Sequence, residues 1–153
     1  MRNIWIFFLL LTVALEVKAQ NVSGLNKKEF SKYWKIESES PDYSVAFRGD
    51  TAEIVAPKGL TLWRKEKMSG KVTIEYDACV VVENEGDRLS DLNCFWMASD
   101  PKYPNDLWKR AKWRSGIFLN CYSLQLYYLG YGGNHNSTTR FRRYDGNEAG
   151  VAD

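Results

Sequence analysis

Residues 71–82 read KVTIEYDACVVV. Apolar side chains stand at Val72, Ile74, Tyr76, Ala78, Val80 and Val82, with Thr73, Glu75, Asp77 and Cys79 between them. Side chains on a strand alternate between two faces, so this period of two predicts a long β-strand with one buried face. Shorter runs of the same kind predict strands at 44–48 (SVAFR), 51–56 (TAEIVA) and 59–64 (GLTLWR), the last two flanking a turn at Pro57–Gly59. Residues 91–98 (DLNCFWMA) are apolar on both faces, as a central strand would be. Residues 115–121, 124–131 and 138–144 complete a count of about eight strands. A weak helical pattern covers only 25–33, and a turn is expected near 105–112. Many short strands with turn signals every 8–12 residues predict an all-β sandwich or barrel.

The N-terminus follows a different rule. Residues 4–15 (IWIFFLLLTVAL) form an apolar run interrupted only by Thr12, Arg2 precedes them, and Val17-Lys18-Ala19 follows. A spanning helix needs about 20 apolar residues. The shorter run, with small or aliphatic residues before the cleavage point, reads as a secretory signal peptide over 1–19. The mature chain, 20–153, is then a single domain that is secreted or periplasmic, with no membrane span after cleavage. It stops soon after a strongly patterned strand, so a C-terminally shortened domain is expected.

Aromatic content of 14% excludes a disordered chain. CxxC and HExxH spacings are absent, and a single His excludes any mechanism needing two. Cys79, Cys94 and Cys121 lie in apolar, strand-like settings and read as buried small hydrophobes, although export would permit one bridge. Removing 1–19 leaves 19 basic and 18 acidic side chains. The balance hides an asymmetry: residues 107–144 carry seven basic side chains and no Asp or Glu. That stretch is built to face anions.

Three runs belong together: IVAPKGLTLWRKEKMSGKVTIEYD (54–77), GDRLSDLNCFWMASDP (86–101) and LYYLGYGGNHNSTTRFRRYDG (126–146). They resemble an exported bacterial family of unknown function, domain of unknown function 6250, over about residues 30–146. The family is distantly similar to YesU-type proteins of polysaccharide utilisation. The resemblance implies a concanavalin A-like jelly-roll β-sandwich and a role in polysaccharide use, without supplying a reaction.

The basic segment is also rich in aromatics. Flat rings match the C–H faces of sugars, and Arg forks pair with carboxylates. Together they suit an acidic, uronate-containing polysaccharide; export argues against nucleic acid, which the same chemistry would accept. Arg114, Tyr127 and Arg142 are the expected substrate contacts here, with Asn93 and Trp96 on the central strand 91–98. Asn93 shares a face with Phe95, and Trp96 the opposite face with Cys94. Gly132-Gly133 predict a tight hairpin turn that displays the only His. A β-elimination lyase needs a base, a group that neutralises the uronate carboxylate, and a proton donor. His135, Arg140, Asn134 and Tyr131 are the residues assigned to these roles.

Two further constellations involve carboxylates. Glu75 and Asp77 share a strand face roughly 7 Å apart, as a glycosidase pair could, but Cys79 stands where a second Glu would be needed. Glu83, Glu85, Asp87 and Asp91 offer hard oxygen ligands that suit Ca²⁺, in a spacing that matches no EF-hand. No other cofactor is implied. The functions left open are a polysaccharide lyase or glycoside hydrolase, a non-catalytic glycan-binding module, and an inactive shortened fragment.

Overall fold

The computed structural model describes residues 25–89 and 91–147. The signal-peptide segment and the last residues, 148–153, lie outside them. Seven strands form among the described residues: β1 (Trp34–Ser38), β2 (Ser44–Arg48), β3 (Thr51–Val55), β4 (Leu60–Arg64), β5 (Leu92–Ser99), β6 (Gln125–Gly132) and β7 (Thr138–Asp145). They pair antiparallel in three sheets, β1–β4, β2–β3 and β5–β6–β7. Helix is confined to short turns, including α1 (Phe30–Tyr33) and α2 (Ala111–Arg114). The fold is all-β, and none of the described helices is long and apolar enough to cross a membrane.

Strands 44–48, 51–55, 60–64, 92–99, 125–132 and 138–145 form within a residue or so of where the sequence predicts strands. Three differences have physical causes. Residues 71–82 form no strand, and Val72, Ile74 and Tyr76 are about half exposed. Alternation says which face of a strand would be buried, but a strand exists only where a neighbour supplies its ladder. Among the described residues no strand pairs with this segment. Cys79 is correspondingly exposed rather than buried. Residues 115–121 are not extended either. Ser115 and Gly116 take left-handed backbone (φ 48° and 70°), and Phe118–Ser123 then coils into a 3-10 helix. Finally, β1 was not legible as a strand, because its inward face carries Lys35 and Glu37 rather than apolar residues. These residues align with Trp63 and Thr61 of β4.

The core lies between β4 and one face of the β5–β6–β7 sheet. Trp63 is buried with Cys121, Leu124, Leu126, Tyr128 and Tyr144, and Phe95, Leu107, Trp108 and Tyr122 pack around them. The Trp63 and Phe95 rings stack at 5.7 Å, joining the two sheets directly. A bulge after Trp96 moves the β5–β6 register from Trp96–Tyr127 to Ser99–Gln125. Met97 takes φ 55° there and points out to solvent. Ala98 is left to pack on the core.

One polar contact runs through this core. Arg114, fully buried, meets Glu37 on two bonds: Nη2 to Oε1 at 2.7 Å and Nε to Oε2 at 3.2 Å. Its Nη1 donates to the Leu107 carbonyl at 2.9 Å, and its guanidinium lies over the Trp63 ring. The next residues complete the clamp. Ser115 Oγ donates to the Ser38 carbonyl, and Gly116 passes so close to β1 that a Cβ there would lie 2.4 Å from the Glu37 carbonyl oxygen. Only glycine fits that approach at φ 70°. A second fork, Arg110 to Asp100, holds the start of this segment to the end of β5 at 2.7 and 2.9 Å. Burial pushes the Asp100 carboxyl up, but the Arg110 fork, the Lys102 amide and the Arg110 and Arg114 charges outweigh it and hold it below its ordinary value.

Removing one partner of a buried ion pair strands the other charge, at a cost of about 3–5 kcal/mol. Arg114→Met and Glu37→Leu should each lower the unfolding free energy by about that much in urea titrations. The double variant should lose clearly less than the sum of the two.

Candidate functional site

The β5–β6–β7 sheet sorts its side chains onto two faces. On the core side, Asn93, Gly130 and Arg140 stand in one cross-strand row, and Phe95, Tyr128 and Arg142 in the next. Gly130 shapes this face. A Cβ at that position would lie 2.1 Å from the Tyr128 hydroxyl, so its absence lets the Tyr128 ring lean across the backbone. The hydroxyl then donates to Asn93 Oδ1 at 3.1 Å. Phe95 (5.4 Å), Phe118 (edge-on, 5.6 Å) and Tyr144 (stacked, 5.7 Å) hold the ring on three sides. Across these two rows exposure rises from the buried Tyr128 through the half-buried Asn93 and Arg142 to the exposed Arg140.

The electrostatics of this face follow from burial, the Asp91 charge and two cations. Burial pushes the Tyr128 hydroxyl up and the Asp91 charge adds to it, while Arg142 and Arg140 pull it back. Tyr144 is pushed further up, by burial and then by Tyr122 and Tyr128, against the Arg142 guanidinium beside it. Tyr128 is therefore a neutral hydroxyl at neutral pH, beside an amide and two guanidinium groups. Such a set can bind a carboxylate and donate a proton.

The opposite face carries another arrangement. Trp96 and Tyr127 stack at 5.9 Å, Tyr127 and Phe141 stack at 5.9 Å, and Phe141 is 62% exposed. Tyr131 follows Tyr127 on this face and is also exposed. The residues assigned from the sequence thus divide. Asn93, Arg140 and Arg142 share the core-side face, and Trp96, Tyr127 and Tyr131 share the other. Tyr131 and Arg140, assigned together to catalysis, are on opposite sides of the sheet because they lie on opposite phases of paired strands. Arg114, assigned to substrate, is buried at 0% exposure against Glu37.

His135 and Asn134 sit at the tip between β6 and β7, in the turn Gly133–Asn136. Asn134, His135 and Asn136 take φ 51°, 57° and 63°, so three successive non-glycine residues are left-handed. Each costs about 1–2 kcal/mol, a cost Asn and His bear better than most residues. Ser137 closes the turn, its amide donating to Gly133 O at 2.9 Å and its hydroxyl to Asn134 O at 2.7 Å. His135 is exposed there.

Neither acidic constellation gathers. Glu75 and Asp77 are exposed on the unpaired segment. Asp87 accepts the Glu83 and Asn84 amides of its own loop, and Asp91 pairs with Arg88 at 2.6 Å. Among the described residues no group of three or more His, Cys, Asp or Glu could hold a metal ion.

Sequence reasoning passed over Tyr128 in favour of Tyr127 and Tyr131. The signal was available: Leu126, Tyr128, Gly130 and Gly132 share a phase, and the two glycines mark the face where the chain is approached closely.

Residues 54–151 match the family described as Domain of unknown function (DUF6250), a match over more than half of the chain. No curated protein and no solved structure matches it.

The thiols report on the same packing. Burial pushes Cys121 up to about 11, the Glu37 charge adds to the rise, and Arg114 opposes it. Its raised value stabilises the fold below the ordinary thiol value of 9.0, and that contribution is lost as pH rises toward about 11. From pH 9 to 11 the unfolding free energy should fall by about 2 kcal/mol more for the native chain than for Cys121→Ala. A thiol reagent should label Cys79 first and Cys121 only on unfolding, read by mass spectrometry.

Proposed function

The chain belongs to the DUF6250 family, and from that premise we propose that it is an exported protein that binds an acidic, uronate-containing polysaccharide and cleaves it by β-elimination. One observation carries this reading: Asn93, Tyr128, Arg140 and Arg142 share one sheet face, with Tyr128 bonded to Asn93. Resemblance to a concanavalin A-like sandwich and to YesU-type proteins of polysaccharide utilisation supports the substrate class, and the apolar N-terminal run supports export.

In this reading Arg140 and Arg142 neutralise the uronate carboxylate and acidify the neighbouring C5–H. His135 takes the C5 proton, the C4–C5 double bond forms, and the C4–O bond breaks. Tyr128 gives its hydroxyl proton to the departing oxygen. A raised pKa suits Tyr128 to this role, since the proton is still present at neutral pH. A second reading, binding without turnover, is favoured by the position of His135 in an exposed tip turn rather than beside the Asn93–Tyr128 pair.

The test follows the ultraviolet absorbance of the unsaturated uronate, on a panel of uronate polysaccharides at pH 7. Tyr128→Phe should lower the rate by about 100-fold or more while retaining binding. Arg142→Gln should weaken binding, most at low salt. Binding without any ultraviolet signal in the native chain would establish the module instead. No binding on the panel would reject the assignment.

A further inference from the structure

The core-side face of the β5–β6–β7 sheet is polarised across its width. Its cations, Arg140 and Arg142, stand on β7. The strands themselves bring no acid to it. Asp145, the one acidic residue in β5, β6 or β7, lies on the other phase, level with Gln125. A carboxylate arrives from just outside β5. The Asp91 amide donates to Gly132 O at 3.3 Å, one step beyond the Leu92–Tyr131 pair. Asp91 therefore extends the β5–β6 ladder toward the tip turn, about 7 Å from Asn93 along the strand. Its Oδ1 lies 3.8 Å from where a Gly133 Cβ would stand. After burial, its charge is the next contribution that raises the Tyr128 hydroxyl. Arg88 holds it through Oδ2 at 2.6 Å. A carboxylate has about four acceptor sites, so this pairing leaves capacity for further donors.

Acceptors and cations thus face each other across β6. Asp91 and Asn93 are on the β5 side and the two arginines on the β7 side, two strand spacings or about 10 Å apart. A pyranuronate is polar in the same sense: its C2 and C3 hydroxyls lie across the ring from the carboxylate on C5. Two neighbouring hydroxyls can donate to the two oxygens of one carboxylate, and a site built on such bonds rejects a sugar that lacks them. We propose that Asp91 is the specificity-determining residue of this site, accepting the C2 and C3 hydroxyls of the bound uronate. It turns the sugar carboxylate toward β7 and excludes sugars substituted on O2 or O3. This inference rests on the uronate reading of the site given above.

The test measures calorimetric binding at pH 7 in the Tyr128→Phe background, where turnover is slow. Two ligands are compared, an oligogalacturonate and the same chain acetylated on O2 and O3. The acetylated chain should bind at least tenfold more weakly. Asp91→Asn keeps the side-chain shape, and Asn tolerates the φ of 69° found at this position. It should weaken the plain ligand about tenfold and bring the two ligands within about twofold of each other. Arg88→Gln breaks the same ion pair but leaves the carboxylate, and should retain the tenfold preference. Equal binding of the two ligands before Asp91 is changed overturns the inference and leaves the uronate site standing. So does a preference that survives Asp91→Asn, or one lost equally in Arg88→Gln. Failure to bind either ligand overturns the uronate reading itself, and this inference with it.

Discussion

The buried Glu37–Arg114 pair is the contact on which the arrangement of the sheets depends. Its partners are 77 residues apart in sequence. β1 supplies the carboxylate, and the last residue of α2 supplies the guanidinium. Leu107 O and the Trp63 ring take up its remaining faces. Two bonds at 2.7 and 3.2 Å fix both distance and orientation, which a lysine ammonium could not do. Hydrophobic burial is non-directional, so Trp63, Phe95 and Tyr128 alone would tolerate several packings of β4 on the larger sheet. The ion pair, with Gly116 pressed against β1, selects one.

That selection has consequences for the core-side face. Phe118 follows the clamp by four residues, and its ring closes on the edge of Tyr128. Tyr128 in turn can reach Asn93 only because Gly130 has no side chain. A chain of contacts therefore leads from a buried structural arginine to the hydroxyl beside two exposed or half-buried ones. The three arginines of one basic segment do different work because their burial differs. Arg114 is consumed by Glu37, whereas Arg140 and Arg142 set the field around Tyr128.

Much of the fold was legible where alternation was strong and a neighbouring strand was present. The phases of β5, β6 and β7 were readable residue by residue. Asn93 and Phe95 do share one face, Trp96 and Cys94 the other, and Arg140 and Arg142 stand opposite Phe141 and Arg143 in phase. What alternation cannot show is which distant segment covers a face. The burial of Arg114 by a carboxylate 77 residues away left no local trace. Nor did β1, whose inward residues are charged. Residues 71–82 show the converse case, the clearest alternation in the chain without a ladder among the described residues. The candidate site was half legible for the same reason. Each strand's phase was readable, but pairing Tyr131 with Arg140 required a register that one sequence does not contain.

In the proposed function the face bearing Asn93, Tyr128, Arg140 and Arg142 receives an acidic sugar chain, and the stacked aromatics behind it do not. Nuclear magnetic resonance of the Asn93 side-chain amide, the Arg140 and Arg142 Nε–H groups and the Trp96 indole N–H separates the two faces in a single titration with an oligogalacturonate. Saturable shifts are expected at Asn93, Arg140 and Arg142, with the Trp96 signal unmoved. Shifts at Trp96 with the other three silent would contradict this.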